Sequence, residues 1–347
     1  MLKNTSGNAP AEVTRIICTS VSRVKGSVMN ELFEVRNRIC EPGRDTSVRG
    51  ALLYSRGWFV LWLEGPDAEV EAALKRAAAD PRNADQVVIH RSRGPACLTE
   101  PVTVVSTQGE GPSAFAQRIS YFRRQHELGV PHEPAAIWRQ LSAPCTFAPH
   151  FGREPDHHVA LVSAYDNGAI DLLRRLGERH ASHVVYQRFA KGQPHSSDVG
   201  VAYVDLAAGE QIRRVQLLSR RALGQDFVRQ SVTGLDAMAL LLGDSTTSAI
   251  DLGMEVAACV RAMPATPDVY LVAQCEAITA AVRQVLAQGS QANPPAAPAM
   301  HLPEAHLAEF LAGSWQAYAA TGLAGLSELA ATIRHRPARH CTRSIAC

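Results

Sequence analysis

The stretch Arg49–Gly65, RGALLYSRGWFVLWLEG, constrains this chain more than any other. Apolar residues run from Ala51 to Tyr54, a polar turn follows at Ser55, Arg56 and Gly57, and a second apolar run goes from Trp58 to Leu63 before Glu64 and Gly65 stop it. Two short apolar runs around a glycine-containing turn predict a β-hairpin. Runs this continuously apolar suit central strands covered on both faces. Trp58, Phe59 and Trp62 share one run, so the hairpin is expected to carry most of its domain's core.

The flanking segments give the hairpin a setting. Val13–Ser20 predicts a strand, and Met29, Leu32, Phe33 and Ile39 recur at helical spacing within 28–40. After the hairpin, Val70, Ala73, Leu74 and Ala77 predict a second helix, with Pro66 in its first turn. The valine-rich segments Gln86–His90 and Val102–Ser106 predict two more strands. Strand, helix, hairpin, helix, strand, strand is a ferredoxin-like α+β order with one strand added.

Gly50, Leu52, Tyr54, Gly57, Phe59, Leu63, Glu64 and Gly65 resemble the central hairpin of the BLUF domain, the flavin-binding blue-light sensor, and the resemblance extends over residues 13–107. It implies a flavin read by a first-strand tyrosine, a third-strand glutamine and an asparagine before the second strand. Here those positions fall at Cys18, Leu61 and Gly43, and the family's fifth-strand aromatic and methionine fall near Val102 and Val104. A leucine facing the polar edge of an isoalloxazine leaves ring atoms unpaired, at about 1–3 kcal/mol for each buried group. The expectation is therefore a domain without cofactor; the alternative is FAD or FMN held by non-standard contacts.

Residues 108–156 predict a connector with a helix over Phe115–Leu128, proline-rich stretches, and a short packed helix around Trp138. Beyond it, 157–320 alternates strands and helices, which implies an α/β domain with a mostly parallel sheet. Strands are expected at His158–Ser163, His183–Phe189, Asp198–Leu206, Ile212–Leu218, Leu235–Gly243 and Asp268–Ala273, with helices over 248–263, 277–288 and 304–319. Residues 321–347 are expected to be a basic, disordered tail.

In order and spacing this half resembles a Ras-like small GTPase. Ser163 to Ile170 stands where the family's phosphate loop would be, and of its motif only Gly168 is kept; Ala169 and Ile170 replace the lysine and the hydroxyl that hold phosphate and Mg²⁺. Arg221 replaces the aspartate of D-x-x-G, followed by Gly224 and Gln225. Gln274 to Ala277 stands at the guanine-reading motif. The expectation is a pseudo-GTPase, with a weak GTP- or ATP-binding switch as the alternative.

Composition removes other classes. A net charge of +2 gives no case for nucleic acid or an acidic membrane surface. No apolar run approaches the ~20 residues of a membrane helix, and the N-terminus has no apolar signal segment, so the cytoplasm is the expected location. Eight cysteines form no C-x-x-C pair, and thirteen histidines give no four-ligand zinc spacing, so no metal is expected. Neither G-x-S-x-G nor H-E-x-x-H occurs, and no catalytic residue is nominated. What remains is a non-enzymatic signalling adaptor or scaffold, possible as a homo-oligomer. Its partner would be a true BLUF photoreceptor, a small GTPase or a roadblock-type regulator. Arg213, Arg214, Arg220, Arg221, Gln225 and Phe227 form the expected docking strip.

Overall fold

The computed structural model describes residues 12–301, apart from 41–46, 110, 147–152, 165–168, 191–197, 226–227, 229–233, 264, 274 and 289–299, together with 307 and 311. Gly43, Gly168, Phe227, Gln274, almost all of the helix expected at 304–319 and the whole tail therefore lie outside the described residues. The chain divides into two compact units. The first comprises residues up to Glu154 with Val185–Gly200, and the second Pro155–Val184 with the chain from Val201.

The first unit is built on the hairpin. Strands β2 (Arg49–Ser55) and β3 (Trp58–Gly65) pair antiparallel around Arg56 (φ 49°) and Gly57 (φ 87°). Two successive positive φ values make a two-residue turn of type I′, whose twist matches that of the strands. Strand β1 (Glu12–Ser22) pairs antiparallel with β3 and with β4 (Asn83–Pro95), and β5 (Val102–Gln108) runs parallel to β2. Ala51, Leu53, Val60 and Trp62 are buried, as the sequence predicts for covered strands, whereas Trp58 at the turn is half-buried.

Helices α1 (Val28–Ile39) and α2 (Asp67–Ala78) cover one face. The hydroxyl of Ser27 caps α1 by accepting from Asn30 N. Pro66 is the residue before α2 rather than part of its first turn, and Asp67 and Glu69 then favour the positive end of the helix dipole. On the opposite side lie α3 (Pro112–Glu127) and α4 (Pro134–Ser142). α3 packs on β4, α4 packs on β1, and Trp138 of α4 meets Trp62 of β3 at 5.9 Å between ring centroids.

The strand expected at His183–Phe189 was assigned by sequence to the second domain; the structure places it elsewhere. It is β7 (Val185–Ala190), and it pairs antiparallel with β5 at the edge of the first unit's sheet. Gln187 Nε2 donates to Ser142 O at 2.8 Å, and a Cβ on Gly109 would sit 2.8 Å from Val185 Cα, so the close approach of β7 requires the glycine. The first unit's strand order is β4-β1-β3-β2-β5-β7.

In the second unit β6 (His157–Ser163) is flanked by β9 (Gln211–Ser219) and β10 (Ala237–Leu241), and β11 (Asp268–Val272) and β12 (Met300–His301) extend the sheet. These five strands run parallel. β8 (Val199–Ala208) is antiparallel to β9 across a turn containing Gly209 (φ 64°). Helix α5 (Ile170–Arg179) follows β6, the short α6 (Arg220–Leu223) follows β9, and α7 (Thr246–Arg261) and α8 (Glu276–Gln288) pack together at Gly253 and Val282. One cluster joins Val159, Leu161, Leu173, Leu176, Val204 and Val215 with Leu307 and Leu311.

Candidate functional site

In the first unit, the face beneath α1 and α2 carries the positions nominated from sequence. Register decides its chemistry. Val88 of β4 is opposite Cys18 of β1, Cys18 opposite Leu61 of β3, Leu61 opposite Leu52 of β2, Leu52 opposite Val104 of β5, and Val104 opposite Ala190 of β7. One row thus crosses the whole sheet, and it holds no side-chain nitrogen or oxygen. Cys18 and Leu61 pack with Val70, Ala73 and Leu74 of α2; Leu52 and Val104 pack with Leu32, Phe33 and Met29 of α1. Leu52 and Leu61 are half-buried, and Cys18 and Val104 are buried. Burial pushes the Cys18 thiol up to about 12, which makes it an inert apolar group rather than a thiolate.

Three of the positions nominated from sequence, Cys18, Leu61 and Val104, therefore do meet in one row, and Val102 lies on the same face one step along β5. Polar side chains on this face begin two residues from the row, at Ser20, Tyr54, Gln86, Ser106 and Arg188; Gln86 donates to Leu74 O of α2, Arg188 pairs with Asp198, and the Tyr54 ring is 5.5 Å from that of Phe59. An isoalloxazine ring requires donors and acceptors at its polar edge; a leucine–cysteine–valine row offers only a weakly donating thiol. These residues do not fit the flavin.

Two polar devices brace this domain. Arg82, in the turn between α2 and β4, binds Asp80 and reaches Glu31 of α1 at 3.3 Å, tying both helices at one end of the face. The Arg82 hydrogen bond holds the Asp80 carboxyl below its ordinary range. Glu64, 1% exposed, accepts from Cys97 N at 2.7 Å and Leu98 N at 2.8 Å and so fixes the segment between β4 and β5.

In the second unit the corresponding place is the C-terminal end of the parallel strands, where ligands of open α/β sheets bind. Ser163 ends β6 and is buried. Ala169 is 2% exposed and belongs to the apolar cluster with Leu173, and Ile170 packs on the same cluster. The two positions expected to hold phosphate and metal are thus built into the core. Ala277 is exposed in the first turn of α8, and Gly224 is the exposed cap of α6. Among the described residues no group of three His, Cys, Asp or Glu side chains could hold a metal ion.

The docking strip expected from sequence is not one surface. Arg214 is buried: it binds Asp205 through two hydrogen bonds of 2.7 and 3.0 Å and lies over the Tyr203 ring at 3.9 Å. Arg213 is half-buried beside Asp236 at the start of β9. Arg220 and Arg221 follow the end of that strand, roughly 23 Å further on at the usual strand rise, so the four cations cannot form one patch. Arg220 pairs with Asp251 at 2.8 Å, Arg221 is exposed and Gln225 is half-buried.

Residues 13–96 match the model of the BLUF family, described as sensors of blue light using FAD. Among solved structures the chain is similar to BlrB, a BLUF protein in its dark state, at 19% identity, covering 39% of this chain and 98% of that one with a TM-score of 0.27. The BLUF structure of BlrP1 gives 19% identity, 41% and 95% coverage and a TM-score of 0.27. Klebsiella pneumoniae BlrP1 with FMN and cyclic diGMP gives 14% identity, 79% and 75% coverage and a TM-score of 0.24. No curated protein matches the chain. The match to the BLUF family thus lies within the first unit, over its first four strands and first two helices. No helix among the described residues is long and apolar enough to cross a membrane.

Proposed function

We propose that this chain is a non-enzymatic signalling adaptor. A BLUF-type domain that holds no flavin is joined to a Ras-like domain that holds no nucleotide, and both act by docking other proteins. The observation that carries the reading is the transverse row Cys18–Leu61–Leu52–Val104, where side chains that would address a flavin ring are replaced by groups that pack. The second unit supports it in the same way. Its parallel strands with one antiparallel strand beside β9 fit a Ras-like order, while Ala169 and Ile170 are committed to the core. A cytoplasmic partner, a GTPase or a true photoreceptor, would meet the corner between β9 and α6, where Arg221 is exposed and Gln225 lies beside it.

Purified full-length protein tests this directly. The reading expects a colourless protein that takes up neither FAD nor FMN on titration, and no binding of a fluorescent GTP analogue with or without Mg²⁺. Flavin absorption in stoichiometric amount, or saturable nucleotide binding, would replace the adaptor with a sensor or a switch.

A further inference from the structure

The sheet face opposite the apolar row carries a cluster of titratable groups that the proposed function does not use. His90 of β4 is 7% exposed. Its Nε2 is 2.8 Å from Ser92 Oγ, and Arg15 Nε of β1 donates to that same oxygen at 3.1 Å. The serine oxygen thus bridges the His90 ring and the Arg15 guanidinium, and a protonated ring would be a second buried cation beside Arg15. The second histidine is His132, in the segment between α3 and α4. Its ring meets Phe122 of α3 edge-on at 5.7 Å, and its Nε2 is buried with no hydrogen-bond partner among the described residues.

The arginines around this point already have partners. Arg15 spends its guanidinium on Ser92, Arg93 O, Cys97 Sγ and, at 3.4 Å, Glu133 at the start of α4. From α3, His126 stands near His90, and Arg118 on the buried face of the helix is bonded to Cys145 O. Arg91 and Arg93 of β4 are paired with Glu71 and Asp67 of α2. Burial first, then Arg15, His126 and His132, bring His90 down to about 4.

We infer that α3 and α4 form a proton-released latch on this face, held shut while His90 is neutral and opened when it is protonated. Protonation puts a positive charge on a ring that is 7% exposed and shares Ser92 Oγ with the Arg15 guanidinium, under the segment that joins the two helices. The cost falls where α3 meets β4 and α4 meets β1, so those contacts yield before the helices of the other face. This does not depend on whether the apolar row is free of flavin. Because α3 and α4 connect in sequence to the second unit, the latch would make that connection responsive to protons.

The full chain supplies its own reporter, since the Trp62–Trp138 pair spans the sheet and α4. Tryptophan emission, far-UV circular dichroism and amide exchange by mass spectrometry are followed as pH falls from 8 to 3.5. Expected is an emission change with helix content retained, and faster exchange in α3 and α4 before α1 and α2. In the variant His90→Gln the transition moves to lower pH and loses about one proton of steepness. Simultaneous loosening of all four helices, or an unchanged midpoint and slope in the His90→Gln variant, overturns the latch. Histidine C2–H exchange on the unmodified chain needs no variant. A depressed His90 titration supports the latch, and one at the ordinary 6.5 overturns it.

Discussion

Leu61→Gln restores the residue type that a flavin would require, and it separates a filled core from a ligand site. Leu61 lies between Cys18 and Leu52 in the row and packs beneath α2. A fully buried leucine contributes about 1.5–3 kcal/mol, and a half-buried one about half of that. The amide that replaces it finds no nitrogen or oxygen in its row; an unsatisfied buried amide costs about 1–3 kcal/mol, discounted here because the site is partly open. The two effects together predict a loss of about 2 kcal/mol, which corresponds to a fall of roughly 4–8 °C in Tm if the unit melts as about 150 residues. Urea unfolding should show a lower midpoint at unchanged slope, because the surface exposed on unfolding stays the same. Excess FAD should restore nothing. If the variant is as stable as the parent, or if FAD raises its midpoint by mass action, the row is not a packed core and the argument against flavin fails.

Other outcomes follow from the same structure. Glu64→Ala strands the N–H groups of Cys97 and Leu98 and should cost about 2–5 kcal/mol, whereas Glu64→Gln keeps one acceptor and should cost less than half as much; equal losses measured by denaturant titration would refute the two-bond role. Arg214→Ala leaves Asp205 buried without its cation and should cost about 3–5 kcal/mol, while the exposed Arg221→Glu should leave the melting curve in place and weaken only partner binding in a pull-down. Gly109→Ala places a methyl against Val185 and should expose the β5–β7 pairing to amide exchange, with α2 and β3 unaffected. The pH dependence has a definite sign. His90 is depressed from 6.5 to about 4, so its stabilisation is complete above pH 6.5 and is lost as pH falls towards 4, on the order of 3 kcal/mol in all; thermal melts that do not fall over this interval would contradict its burial.

Local sequence determines β2 and β3, because the hairpin carries period, turn chemistry and stop signals within seventeen residues, Arg49 to Gly65. It also nominated Cys18, Leu61 and Val104, since each lies a known distance along a strand. That they face one another in a single row is a matter of register, which long-range pairing sets and local pattern does not. Tertiary structure alone placed β7: a run such as VYQRFA has strand periodicity but nothing that names β5 as its partner. The histidine cluster was illegible for the same reason, because His90 and His132 are 42 residues apart and become neighbours only when α3 folds back on β4. Arg214 shows the converse: its charge predicted a surface, and the carboxylate of Asp205 across the hairpin made it a buried pair. Local sequence decides what each segment can be, and the cost of leaving any polar or apolar group unmatched decides which segments it must meet.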